Sequence, residues 1–152
     1  MIITVDSNIL LSIFAKDSLF EKSFHLLEQF NRHHYIINDC IYLELAVHFQ
    51  NLELLNNALN TLEVDHVEHY EMNYEEVVAA WTAYIRRKLF VCTSCGKVIN
   101  PVCPLCKEKV ALRQRILADV IIGGFALANS DGILTLDSQY YKNYFPQLKI
   151  LA

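Results

Sequence analysis

Four acidic residues of this chain stand inside apolar sequence, where an ordinary core would not place them. Asp6 closes ITVD, Glu44 lies between Leu43 and Leu45, Asp119 sits within ILADVIIGG, and Asp137 closes ILTLD. Carboxylates brought together repel, and the repulsion is relieved by protonation, by an Arg or Lys partner, or by a divalent cation. No Lys or Arg adjoins Asp6, Glu44 or Asp137 in sequence. All-oxygen ligands suit Mg2+ or Mn2+. Such a cation can activate water, hold a phosphodiester in line and offset charge on the leaving oxygen, so the chemistry indicated is phosphodiester hydrolysis. Each acid also has an ordinary reading. Asp6 and Asp137 each precede a helical segment and could cap it; Asp119 could pair with Arg115 one turn earlier, for about 0.3–0.5 kcal/mol; Glu44 could face solvent.

A second constellation is CTSCGKVINPVCPLC, two Cys-x-x-Cys pairs formed by Cys92, Cys95, Cys103 and Cys106. Each pair can present two thiolates from a tight turn, and together they complete a closed, four-sulfur Zn2+ site that is structural and cannot be catalytic. The glycine in CTSCGK and the proline in CPLC suit such turns. Disulfide or redox chemistry is disfavoured, because cytosolic thiols stay reduced and one redox site needs one pair. Cys40, outside the set, reads as a small buried residue.

Charge is unevenly spread around these cysteines. Residues 86–115 hold eight of the thirteen Lys and Arg and a single acid, Glu108, for +7; the rest, five cations against sixteen acids, carries −11. That basic segment could grip RNA phosphates, or be a solvated helix face.

The elements that must position these groups alternate. Strands are expected at ITV, YIIN, TLEVDHV, ILTL and LKIL, and helices at SNILLSIFAKD, SLFEKSFHLLEQFNRHH with Ser18 as cap, and from an Asp39 cap to about Leu59 with a break near Asn51. Further helices are expected at NYEEVVAAWTAYIRRKLF, from about Glu108 to Asn129, and at SQYYKNYF. Short apolar strands alternating with helices indicate a three-layer α/β fold around a parallel sheet. The chain of 152 residues, 53% hydrophobic, suits one domain, 1–152, interrupted by an insertion at 92–106. The start MIITVDSNIL has no basic leader, so a cytoplasmic protein is expected. The longest apolar run, Val120 to Ala128, is nine residues where a membrane span needs about 20. Trp81, Tyr74 and Tyr84 share one helix face and read as a core or dimer seam, and the histidines as surface or satisfied core residues.

VDSNIL after the first strand, LEL on the helix after the second, LADVIIGGFALA on the late helix and LTLD together resemble a PIN domain, most of all the small VapC-type toxins of toxin–antitoxin pairs. The resemblance spans nearly the whole chain outside the cysteine segment. It implies a Rossmann-like sheet and a Mg2+- or Mn2+-dependent endoribonuclease whose acidic quartet is Asp6, Glu44, Asp119 and Asp137. Ser7 and Asn8 match polar residues after the first acid, with Asn8 orienting a carboxylate or water, and Thr135 matches a hydroxyl residue two before the last. It also implies a small antitoxin partner and a homodimer. Gly123 and Gly124 fall where the family has small residues such as Ala, and the cysteine insertion departs from the toxins. A PIN domain with a zinc module also resembles ribosome-maturation endonucleases, in which zinc follows the domain instead of interrupting it; a third reading is a non-catalytic RNA-binding scaffold. Elemental analysis after chelator-free purification is expected to find one zinc per chain, and free thiols without metal would remove the zinc assignment.

Overall fold

Strand β1 (Ile2–Val5) is the axis of the fold, with Ile3, Thr4 and Val5 all at 0% exposure. Burial on both faces is what a central parallel strand requires. The structure is a computed structural model describing residues 1–86, 90–91, 97–99, 101–108 and 117–151. Helices α1 (Ser7–Ala15) and α2 (Phe20–Gln29) lead to β2 (His34–Ile37), and α3 (Asp39–Ala46) and α4 (Leu52–Thr61) lead to β3 (Val64–His66). Helix α5 (Tyr74–Arg86) precedes the short strands β4 (Phe90–Val91) and β5 (Val98–Ile99). Helix α6 (Leu117–Asn129), β6 (Gly132–Leu134) and α7 (Ser138–Tyr144) follow.

The main sheet has four parallel strands in the order β3-β2-β1-β6. Chain order runs outward from β1 to β3 and then returns to the other side of β1, so β1 and β6 flank the point where it reverses. At such a point the helices that follow neighbouring strands part and leave a crevice at the carboxyl ends. The register Ile3↔Gly132, Thr4↔Ile133 and Val5↔Leu134 makes Asp6 and Thr135 the next pair beyond the ladder. On the other side, Thr4↔Ile36 puts Asn38 level with Asp6.

Several local expectations are corrected. Ser18 does not cap α2: the Asp17 carboxylate accepts the Leu19 N–H at 2.8 Å, and the helix begins at Phe20. Asn38, not Asp39, caps α3, its Oδ1 accepting the Ile41 N–H at 3.1 Å, which leaves Asp39 to meet His66 at 2.8 Å. The break near Asn51 is a true helix boundary, with Asn51 capping α4. Glu108 lies outside any helix, and the start expected there for α6 runs through residues 109–116, outside those described. Strand ILTL ends at Leu134 because the Thr135 side chain and the Leu136 N–H are drawn into bonds described below. LKIL joins β6 through one bridge, Ile133↔Ile150. Trp81 and Tyr84 stack on each other and meet tyrosines of α7, whereas Tyr74 is 74% exposed.

Cys92 and Cys95, half of the expected four-cysteine set, lie outside the described residues. Antiparallel β4 and β5 pair Phe90 with Ile99 and Val91 with Val98. Beyond them Cys103 and Cys106 flank a turn, closed by Lys107 N–H on the Cys103 carbonyl at 2.9 Å, with Lys107 at φ 63°. Backbone N–H groups of Cys106 and Leu105 hold the Cys103 thiol below its ordinary pKa.

Helix α6 is buried along Val120, Ile122, Gly123, Gly124, Phe125 and Ala126. Among the described residues no helix is long and apolar enough to cross a membrane. A Cβ on Gly123 would lie 2.6 and 2.7 Å from Phe145 ring carbons, and one on Gly124 2.9 Å from Met72 Sδ. The glycines thus set how closely α6 packs. For Gly123→Ala, overpacking against a fully buried ring costs about 1–3 kcal/mol and outweighs the gain of up to about 1 kcal/mol in helix propensity. Urea unfolding is expected to show a net loss of about 1–2 kcal/mol; a more stable variant would show that Phe145 yields.

Candidate active site

The carboxyl ends of β1 and β6 are tied by a knot of side chains around Asp6, which is 3% exposed. Thr135, fully buried, donates its hydroxyl to Asp6 Oδ2 at 2.6 Å, and Asn8 Nδ2 donates to the same oxygen at 2.8 Å. Asn8 Nδ2 also reaches Thr135 Oγ1 at 3.2 Å, and its Oδ1 accepts the Leu136 N–H at 3.1 Å. Thr135 Oγ1 in turn accepts the Asp137 N–H at 3.0 Å. Asp6 stands at the N-cap of α1 but makes no side-chain cap bond, so its carboxylate is committed to the knot. Two donors occupy Oδ2, while Oδ1 receives the Ser7 hydroxyl at 3.5 Å and therefore weakly.

The other three acids come from separate elements: Glu44 from α3, Asp119 from the first turn of α6, and Asp137 from the cap of α7, where its carboxylate accepts the Tyr140 N–H at 3.2 Å. Glu44 and Asp119 are half-buried and Asp137 is exposed. Burial pushes the Asp119 carboxyl up to about 7, with the charges of Asp6, Glu44 and Asp137 adding to the effect. Burial also pushes Asp6 up to about 6, against the Thr135 hydrogen bond and with the charge of Glu44. The four acids therefore share one electrostatic neighbourhood. They do not form a tight cage: among the described residues no group of three or more His, Cys, Asp or Glu side chains is gathered closely enough to hold a metal ion.

The donor chemistry nonetheless fits a hard divalent cation. Among the described residues the ion pairs are His34–Asp65 at 3.3 Å and His66–Asp39 at 2.8 Å, and neither neutralises the quartet. Arg115, the alternative partner for Asp119, lies outside the described residues, as do Arg87, Lys88, Lys109 and Arg113 of the basic segment. Carboxylates that raise one another's pKa, as Asp6 and Glu44 do for Asp119, are the kind of oxygen donors that a hard divalent cation accepts.

Two tyrosines of α7 complete the neighbourhood and escape a reading based on acids. Tyr141 is 1% exposed, and its pKa is raised well above the ordinary value by burial, then by Asp6 and Asp119. Its hydroxyl approaches Asp6 closely enough for each to shift the other, without a hydrogen bond of ordinary geometry. Tyr140 is likewise raised by burial first, then by Asp119. Both lie three to four residues after Asp137 in SQYYKNYF, the helical spacing that returns a side chain to the face of its cap, and that spacing is the signal for them.

No family model matches the sequence, and no curated protein does. The structure is similar to the crystal structure of VapBC2 from Rickettsia felis bound to a DNA fragment from their promoter, with a TM-score of 0.60 and 15% identity, covering 99% of this chain and 97% of that one. The fold is PIN-like. A parallel four-stranded sheet flanked by helices spans the chain from β1 to the closing segment.

The raised pKa of Asp119 fixes the sign of a pH effect. A carboxyl whose pKa is higher folded than unfolded contributes stability below the unfolded value of 3.8 and loses it as pH rises through about 7. An amide at this position has no charge to bury. In Mg2+- and Mn2+-free buffer, Asp119→Asn is therefore expected to gain stability over the unsubstituted chain as pH rises from about 4 to about 8, by on the order of 1–2 kcal/mol after allowing for solvent screening. Urea unfolding across that range checks it; a gap that narrows with pH would indicate an ordinary salt bridge.

Proposed function

We propose that the protein is a Mg2+- or Mn2+-dependent endoribonuclease acting as the toxin of a toxin–antitoxin pair. The observation carrying this reading is the set of carboxylates from β1, α3, α6 and α7 that act on one another at the sheet's carboxyl edge, with Asp6 fixed by Thr135 and Asn8. The likeness to a VapBC2 structure supports it through the fold.

Asp6, Asp119 and Asp137 would hold the cation, and Glu44 would complete the site or orient the attacking water. When bound, Mg2+ or Mn2+ supplies Lewis acidity that makes water a nucleophile at neutral pH and draws charge from the phosphate. Thr135 and Asn8 hold Asp6 Oδ2, so the carboxylate does not rotate as a ligand enters. No side chain need act as nucleophile.

The surface supports this reading of the partners. Leu43 on α3 and Val47 at its C-cap are 63% and 79% exposed, with Leu52 and Leu54 of α4 nearby in sequence at 53% and 47%. Tyr74, Val78 and Ile85 of α5 are 74%, 60% and 42% exposed and fall on one helical stripe. The exposed apolar side chains on α3 and the stripe on α5 suit two contacts, an amphipathic antitoxin segment and a second copy of the chain. The segment at residues 92–106 would be a structural Zn2+ clip held by Cys92, Cys95, Cys103 and Cys106. Its basic surroundings would help to hold RNA.

Incubation with total RNA and Mg2+ or Mn2+ tests the assignment. Cleavage is expected for the unsubstituted chain, and a fall of at least about a hundredfold for Asp6→Asn and Asp119→Asn, since even outer partners of a metal site contribute about 10–100-fold. Equal cleavage by all three proteins, or none with either metal, would overturn the reading.

A further inference from the structure

Among the described residues, four buried side-chain polar atoms have no hydrogen-bond partner: Ser23 Oγ, Asn38 Nδ2 and the hydroxyls of Tyr140 and Tyr141. Ser23 belongs to α2. The other three lie at the carboxyl edge of the sheet, where Asn38 follows β2 and Tyr140 and Tyr141 follow the Asp137 cap. A buried donor without an acceptor destabilises a fold, so three at one edge require an explanation.

Asn38 cannot turn its amide to escape, because Oδ1 is engaged as the cap of α3. Tyr141 is the most constrained. It is 1% exposed, and its neighbour Phe145, one turn on, is 0% exposed, so the ring has no route to solvent. The charges of both Asp6 and Asp119 act on its hydroxyl. Asp6 Oδ2 is already filled by Thr135 and Asn8. A buried phenol near Asp6 that makes no hydrogen bond of ordinary geometry, and that also feels the charge of Asp119, is placed to donate to an oxygen that both carboxylates approach.

Resting on the metal-nuclease reading above, we propose that Tyr141 is a positioning residue whose hydroxyl donates to an oxygen of the ligand bound by Asp6 and Asp119. That oxygen is either a water that enters with the divalent cation or a phosphate oxygen of the RNA. The phenol does not enter the cation's shell; it fixes the orientation of what the carboxylates hold. In the ligand-free protein its cost remains, as expected of a group arranged for binding and not for folding.

Tyr141→Phe removes the hydroxyl and keeps the ring, and thermal unfolding reads the result without relying on catalysis. Three conditions are needed: no divalent cation, Mn2+ alone, and Mn2+ with a short 2′-O-methyl oligoribonucleotide. Without cation the variant is expected to melt at or above the wild-type temperature. The rise in melting temperature on ligand addition is expected to fall to about half or less. A loss seen with Mn2+ alone assigns the bond to water, and a loss seen only with the oligonucleotide assigns it to phosphate. Equal rises for both proteins in both conditions overturn the proposal, as does a cation-free variant melting several degrees low, which would make the hydroxyl part of the fold. No rise for wild type with Mn2+ removes the metal reading itself, and this inference with it.

Discussion

The hydrogen bond from Thr135 to Asp6 joins residues 129 apart in sequence at 2.6 Å, and the rest of the site is built from it. It exists because β1 and β6 are parallel neighbours in a register that makes these two residues the first pair beyond the ladder. Asn8 then links the first turn of α1 to the same oxygen and to the backbone at Leu136, and Thr135 receives the N–H of Asp137. One carboxylate oxygen therefore connects the ends of two strands with the starts of two helices. A desolvated charge-assisted bond of this kind is stronger than a neutral one, and strongest when its members support one another.

The same burial that strengthens this knot makes its charge expensive. Asp6 and Asp119 are both raised toward neutral pH, and burial is the larger cause for each. Helix α6 carries Asp119 and packs through Gly123 and Gly124 against Phe145 and Val77, with no room for side chains. Close packing of that helix and depth of its acid are one arrangement. The fold gives up stability where it buries these carboxyl groups.

Much of this was legible in sequence because burial leaves a plain signal. ITV, YIIN and ILTL are apolar enough to be central strands, and an acid following such a strand stands out. The parallel sheet, the break at Asn51 and the helix at SQYYKNYF follow from periodicity and capping residues. What was not legible depended on competition between neighbouring polar groups. Asp17 took the N–H that Ser18 could have served, Asn38 displaced Asp39 as a cap, and Thr135 left the strand to reach Asp6. Propensity cannot rank such rivals, because tertiary partners decide among them. Tyr141 was hidden for a different reason, since a tyrosine in an apolar helix reads as core until its hydroxyl is found beside two carboxylates.

The two edges of the sheet close in unlike ways. Beyond β6, Ile133 accepts the Leu151 N–H at 2.9 Å and donates to the Lys149 carbonyl at 2.9 Å, so the terminal segment covers that side. At the other edge β3 is three residues long, with Asp65 and His66 each engaged in an ion pair. Short, charged edges resist the addition of a foreign strand. Extension of the sheet by a further strand is thereby disfavoured at the β3 edge and obstructed beyond β6, which leaves the helices as the faces open to contact. Residues on those faces can change without disturbing the strands, so the outer surface of the chain can vary while the arrangement of its acids stays fixed.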